Sequence, residues 1–146
     1  MPVVVAAPTE ARRRHHHRQE HARCFACGRE ADGGLGLRFA VGPAGEVSAD
    51  WICPESARSY EGTMHGGLIA TLMDAAMVHA LFARDIVART AELRVRYHQP
   101  VHTGEPLKVV ARLSAAYGAL HCLDAEVWQA GKRCARAQAK FMAEEA

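Results

Sequence analysis

From Gly66 to Ala83 almost every position is apolar, and only Thr71, Asp74 and His79 interrupt the run. It is too long for a strand and rich in Ala, Leu and Met, which predicts a helix. A helix that is apolar all round must be covered all round. At ~18 residues it touches the lower limit of a membrane span. Two ionisable residues lie inside it, however, and strand patterns flank it, so a core helix is expected. Ahead of it, Leu35, Leu37, Phe39 and Val41 alternate at the period of two of a half-buried strand, as do Val47, Ala49 and Trp51 after a "GPAG" turn. Residues 54–65 read as an irregular linker. Behind the helix, Ala91, Leu93, Val95 and Tyr97 alternate with Thr90, Glu92, Arg94 and Arg96. Three more such runs follow: Leu107 to Leu113, Leu123 to Val127, and Ala135 to Phe141. The segments between them are short and turn-like, which favours antiparallel neighbours. Two strands, a buried helix and four strands predict an α+β domain, a curved antiparallel sheet wrapped around one long helix.

The first 23 residues stand apart as a basic, partly helical arm, with the domain proper at 24–146. Residues 1–8 read as a flexible lead, and Thr9 is placed to cap a short helix running to about Ala22. That helix is so charged that weak anchoring is expected. The arm holds five arginines against two glutamates, leaving 13 basic and 14 acidic residues elsewhere. The body is therefore near neutral, which gives no footing for nucleic-acid binding outside the arm. The five cysteines are odd in number and scattered. The apolar stretch that opens the chain precedes the positive charges and is too short for a signal core, so free thiols and a cytoplasmic location are expected.

Several side chains invite chemistry. Asp74 sits within an apolar helix, where an unpartnered carboxylate is costly. It is either satisfied by backbone or an interface neighbour, or kept as a base or nucleophile. His79 lies five residues further on, so the two side chains project about 140° apart and form no dyad within one helix. His21, Cys24 and Cys27 have a spacing that could share a metal ion, but a fourth ligand is obvious only as another arm histidine. Packed thiols without metal are the expectation there.

The order of elements, with "HGGLIATLMDAA" opening the helix, resembles the PaaI-like hotdog thioesterases. The family signature is His-Gly-Gly and, after six residues, an acid: here His65, Gly66, Gly67 and Asp74. The segments "CFACG…GLGLRF" and "TAELRVRYHQPVHTGEPL" also match the family, and the likeness covers roughly residues 24–142. It implies an acyl-CoA thioester hydrolase, forming a homodimer or homotetramer with a site shared between chains. No cofactor is required, CoA being part of the substrate, and no membrane span or nucleic acid is involved.

The resemblance makes Asp74 the general base or nucleophile and assigns the carbonyl-polarising N–H to Gly66. Unpaired N–H groups at a helix N-terminus suit such an oxyanion hole, although the glycines could simply make the turn. His65 would order that loop, and Thr90 matches a hydroxyl that places the attacking water. Ser59, Gly67, Leu68, Met73 and Met77 would contact substrate, with Leu72 beside them in the acyl tunnel. One position departs: several relatives carry Asn where this chain has Ser59. That keeps a catalytically weak acyl-CoA or lipid-binding hotdog protein as the alternative. A zinc-stabilised interaction module and a hydratase stand further off.

Overall fold

The computed structural model describes residues 5–144; residues 1–4 of the expected lead lie outside them. The elements are α1 (Glu10–Glu20), β1 (Ala40–Val41), β2 (Val47–Ile52), α2 (Gly66–Phe82), β3 (Ala88–Tyr97), β4 (Pro106–Tyr117), β5 (Leu120–Gln129) and β6 (Lys132–Ala143). The strands form one antiparallel six-stranded sheet in the order β1-β2-β4-β5-β6-β3. Strands β4, β5 and β6 run as a meander, while α2 carries the chain across the sheet so that β3 docks on the far side of β6. This leaves β3 as an open edge.

Alternation along the strands decides what faces the helix. Val109 and Ala111, then Leu123, Ala125 and Val127, then Ala135, Ala137, Ala139 and Phe141 turn inward, packed with Leu72, Met73, Ala76, Met77 and Leu81 of α2 into one core. The helix is thus covered by sheet, arm and linker along most of its length, but Gly67 is exposed and Leu68, Ala70, Thr71 and Asp74 are only half-buried. This is the hotdog arrangement. No helix among the described residues is long and apolar enough to cross a membrane.

Two expectations need correction. The alternation of Leu35, Leu37, Phe39 and Val41 does not make a long strand: only Ala40–Val41 joins the sheet. Leu37 and Phe39 are buried, but the backbone N–H groups of Leu35 and Leu37 donate to the carbonyls of Phe25 and Ala26 at 2.7 and 3.2 Å. Alternation reports which side chains are buried, not which backbone they pair with.

The arm helix, expected to be weakly anchored, is docked. Thr9 does cap it, accepting from the Arg12 N–H at 3.2 Å. The Thr9 N–H reaches the Ala83 carbonyl at 2.9 Å. Arg13 is 7% exposed, ion-paired with Glu10 at 2.6 Å and 3.2 Å from His79 Nδ1. Arg12 and His16 close on Asp85 at 2.8 and 3.0 Å. Asp85 holds a left-handed φ of 60° just past α2. The anchors are polar, so a search for apolar stripes could not find them.

Candidate active site

His65 is the N-cap of α2, its Nδ1 accepting from the Gly67 N–H at 3.0 Å. A Cβ at Gly67 would lie 3.1 Å from the His65 ring. Glycine at 67 therefore makes room for the cap. At Gly66 a Cβ would meet only the Tyr97 ring, at an ordinary 3.7 Å. What distinguishes Gly66 is its N–H, which finds no acceptor among the described residues. It stands at the positive end of the helix dipole, aimed outward. The Gly66 carbonyl accepts the Tyr97 hydroxyl at 2.7 Å, which pins the peptide against β3.

Two turns further along α2, the Asp74 carboxylate accepts the Thr90 hydroxyl at 2.7 Å. Burial pushes the Asp74 carboxyl above its ordinary range, and the Thr90 hydrogen bond offsets this only in part. Thr90 reaches Asp74 because of a bulge. The register of β3 on β6 shifts between Thr90 and Glu92, so that Thr90 pairs with Phe141 and Leu93 with Ala139. Paired residues of an antiparallel ladder share a face, which puts Thr90 on the helix side with Leu93, Val95 and Tyr97. Unbroken alternation would have turned it outward.

The structure thus joins Asp74 to Thr90, and His65, Gly66 and Gly67 to one another. It does not bring the other expected contacts together within one chain. Ser59 is exposed on the short loop leading to α2, its N–H bonded to the Thr63 carbonyl at 2.9 Å. Its hydroxyl has no partner among the described residues. Leu68 is half-buried, whereas Met73 and Met77 are fully enclosed in the core with Leu72. None of the four lines the main clefts of the single chain. His79 is 1% exposed; burial first, then the Arg13 charge, hold it neutral, down to about 2. It belongs to the arm's docking site, on the side of α2 away from Asp74.

Sequence reasoning overlooked Tyr97. Its signal was present: it shares a face with Leu93 and Val95, and so lies under the helix start. A cleft of about 770 Å³ lies between arm and domain and is lined by Arg13, His17, Cys27, Phe39 and His79 among others. No candidate catalytic residue borders it.

A helix opened by a capped His-Gly-Gly turn, with an acid two turns on and a curved sheet around it, defines a PaaI-like hotdog domain. The chain belongs to the thioesterase superfamily, whose family model matches residues 61–135. The PaaI protein of Escherichia coli, from the phenylacetic acid degradation operon, is similar with a TM-score of 0.75 and 17% identity, over 90% of this chain and 95% of that one. A second thioesterase superfamily protein gives a TM-score of 0.74 and 24% identity over 79% of this chain; the match spans only 60% of that protein. A Streptococcus mutans protein bound to acetyl CoA gives a TM-score of 0.69 and 19% identity, over 74% of this chain and 88% of that one. At such identities the likeness establishes the fold. A search of curated proteins finds no match.

Proposed function

We propose that the chain is an acyl-CoA thioester hydrolase that works as a homo-oligomer, with Asp74 as the reacting carboxylate and the Gly66 N–H as the oxyanion donor. The observation that carries this reading is the Asp74–Thr90 pair: a carboxylate in an apolar helix, raised by burial, with a single hydroxyl to hold it. A carboxylate raised in this way is a stronger base than an ordinary one. Asp74 takes a proton from water as the water attacks the thioester carbonyl, or attacks that carbonyl itself to give an acyl–Asp74 anhydride that a water then hydrolyses. In either route the carbonyl oxygen becomes an oxyanion, received by the Gly66 N–H, and the intermediate expels CoA as thiolate. The Thr90 hydroxyl donates a hydrogen bond to Asp74 and keeps lone pairs free for the incoming water. No resident metal or redox group is needed.

Geometry also favours a shared site. Gly66 and Asp74 are eight residues apart on one helix, which is about 12 Å along its axis. A reacting carbonyl must lie within about 3 Å of both donor and attacking group. One chain's Gly66 and Asp74 cannot meet on the same thioester, so a second copy would supply the complement. The open β3 edge, which carries Thr90 and Tyr97, is a suitable place for it to pair. Such pairing would also give Leu68 an opposing wall for the acyl group. The solved S. mutans relative bound to acetyl CoA supports the choice of acyl-CoA as substrate class, and free thiols at all five cysteines suit a cytoplasmic setting.

The test is release of free CoA, read with a thiol reagent, across short, long and aryl acyl-CoAs, with Asp74→Asn beside the wild type. Hydrolysis is expected from the wild type and its collapse, by about 10³-fold or more, in the variant. A folded wild type that binds acyl-CoA without hydrolysing it would instead make this a binding protein, with Ser59 the first position to exchange for Asn.

A further inference from the structure

The arm poses a physical problem. Helix α1 has no apolar face, and its one buried side chain is an arginine, so burial of apolar surface cannot account for its seat on the domain. Beneath its C-terminal end lies a cluster of nitrogen and sulfur. The ligand atoms of His21, Cys24 and Cys27 lie within 4.8 Å of one another, with Cys27 Sγ 3.9 Å from His21 Nδ1. Tetrahedral zinc, with Zn–S of about 2.3 Å and Zn–N of about 2.0–2.1 Å, needs sulfur and nitrogen about 3.6 Å apart and two sulfurs about 3.8 Å apart. The Cys27–His21 pair is within a few tenths of an ångström of that spacing.

The turn that carries the two cysteines is stiff. The Gly28 N–H closes it on the Cys24 carbonyl at 2.7 Å. A Cβ at Gly28 would lie 2.4 Å from that carbonyl oxygen, and one at Gly34 would lie 2.4 Å from the Gly28 oxygen.

The nearest candidate for a fourth ligand is His17, which groups with Cys27 and His79 and not with His21 and Cys24. His17 stands one turn before His21 on α1, with a ring nitrogen within 4.8 Å of the Cys27 sulfur. Its Nε2 is 3.0 Å from the Cys27 carbonyl. A carbonyl only accepts, so Nε2 carries the proton and the Nδ1 lone pair is left for a metal. His79 also approaches His17 and Cys27, but Arg13 stands at its Nδ1. Arginine can only donate, so the His79 proton lies on Nε2 and that nitrogen has no lone pair to offer.

We propose that His21, Cys24 and Cys27 bind one zinc ion that fastens helix α1 to the hotdog domain, with His17 turning in from beside Cys27 to complete the tetrahedron. Two thiols release their protons on binding, and the dication with two thiolates and two neutral imidazoles is uncharged overall. That neutrality suits a half-buried place beside the Arg13 guanidinium. The ion is structural: four protein ligands leave no open position for substrate or water.

The full chain, produced without an affinity tag and purified without immobilised metal, should carry one zinc per chain by mass spectrometry of the metal against protein by amino-acid analysis. Cobalt exchanged into it should give the thiolate-to-cobalt charge-transfer band and the intense visible bands of a tetrahedral site. This readout needs no variant to fold. Cys24→Ser and Cys27→Ser should each lose the metal. His17→Gln should weaken zinc at least about tenfold in competition with a chelator, whereas His79→Gln should keep it. Stripping the metal should expose the α1 amides to hydrogen exchange while those of β4 and β5 stay protected. Metal-free protein that takes up no stoichiometric zinc overturns the proposal. So does a Cys24–Cys27 disulfide in protein isolated under reducing conditions, or an octahedral cobalt spectrum, which would mean loose binding at the exposed arm histidines.

Discussion

Replacing Thr90 by valine removes the one hydroxyl that holds Asp74 among the described residues and changes little else. Valine has nearly the shape of threonine and suits an edge strand equally well. The bond lost is 2.7 Å long and runs to an ionised acceptor, a class that contributes about 1.5–3 kcal/mol. Thr90 is exposed and Asp74 half-buried in the single chain, so the lower end applies, about 1.5 kcal/mol or roughly tenfold in rate. The direction of the pH effect follows from the same bond. Thr90 donates to the charged carboxylate and so lowers a group that burial raises. Without it the Asp74 carboxyl moves further up, and the acid limb of kcat/KM moves to higher pH. Assayed by CoA release across pH, Thr90→Val should therefore lose about tenfold at the plateau and show the shifted limb, and Thr90→Ser should restore both. Unchanged activity and an unmoved limb in a folded Thr90→Val protein would refute the pairing of Thr90 with the reacting acid.

Asp74→Asn should be more stable than the wild type at neutral pH, by up to about 1 kcal/mol, because the amide carries no buried charge. A group raised on folding adds stability below its unfolded pKa and loses it as pH rises through the folded one. The thermal gap between variant and wild type should therefore be widest at about pH 8 and narrow toward about pH 4; a gap that widens on acidification would contradict the raised carboxyl. Tyr97→Phe frees the Gly66 peptide from its 2.7 Å anchor, and should cost about 0.5–1.5 kcal/mol of transition-state binding, seen in kcat more than in KM; an effect confined to KM would mean that Tyr97 only contacts substrate. Ala130 turns from β5 into β6 with a φ of 50° ahead of Gly131. Ala130→Asn should raise stability by about 0.5–1 kcal/mol in a denaturant melt, since Asn-Gly is preferred where both turn residues need positive φ; a lower midpoint would argue against that turn.

The pattern of apolar residues determined α2, the burial of most of it, and the strands that follow it, because periodicity and length record which side of an element meets a core. Asp74 was legible for a related reason, since a carboxylate inside an apolar helix is costly enough to stand out, whereas the His-Gly-Gly turn was legible through the family resemblance. Alternation failed where the chain broke its own rhythm. It placed Thr90 with Glu92 and Arg94 on the outer face, and only the bulge, a matter of register between β3 and β6, turned it to Asp74. It extended a strand over residues 35–41 where backbone pairing goes instead to Phe25 and Ala26. That Gly66 keeps a free N–H while Gly67 loses its own to His65 depends on one cap geometry that no spacing reveals. The approach of His17 to Cys27, and the burial of Arg13 on His79, likewise came only with the docked arm. Local sequence governs local conformation and the side that is buried. Which distant polar groups then meet is settled by packing, since hydrogen bonds and ligand clusters depend on separations of a few ångströms between segments far apart in the chain.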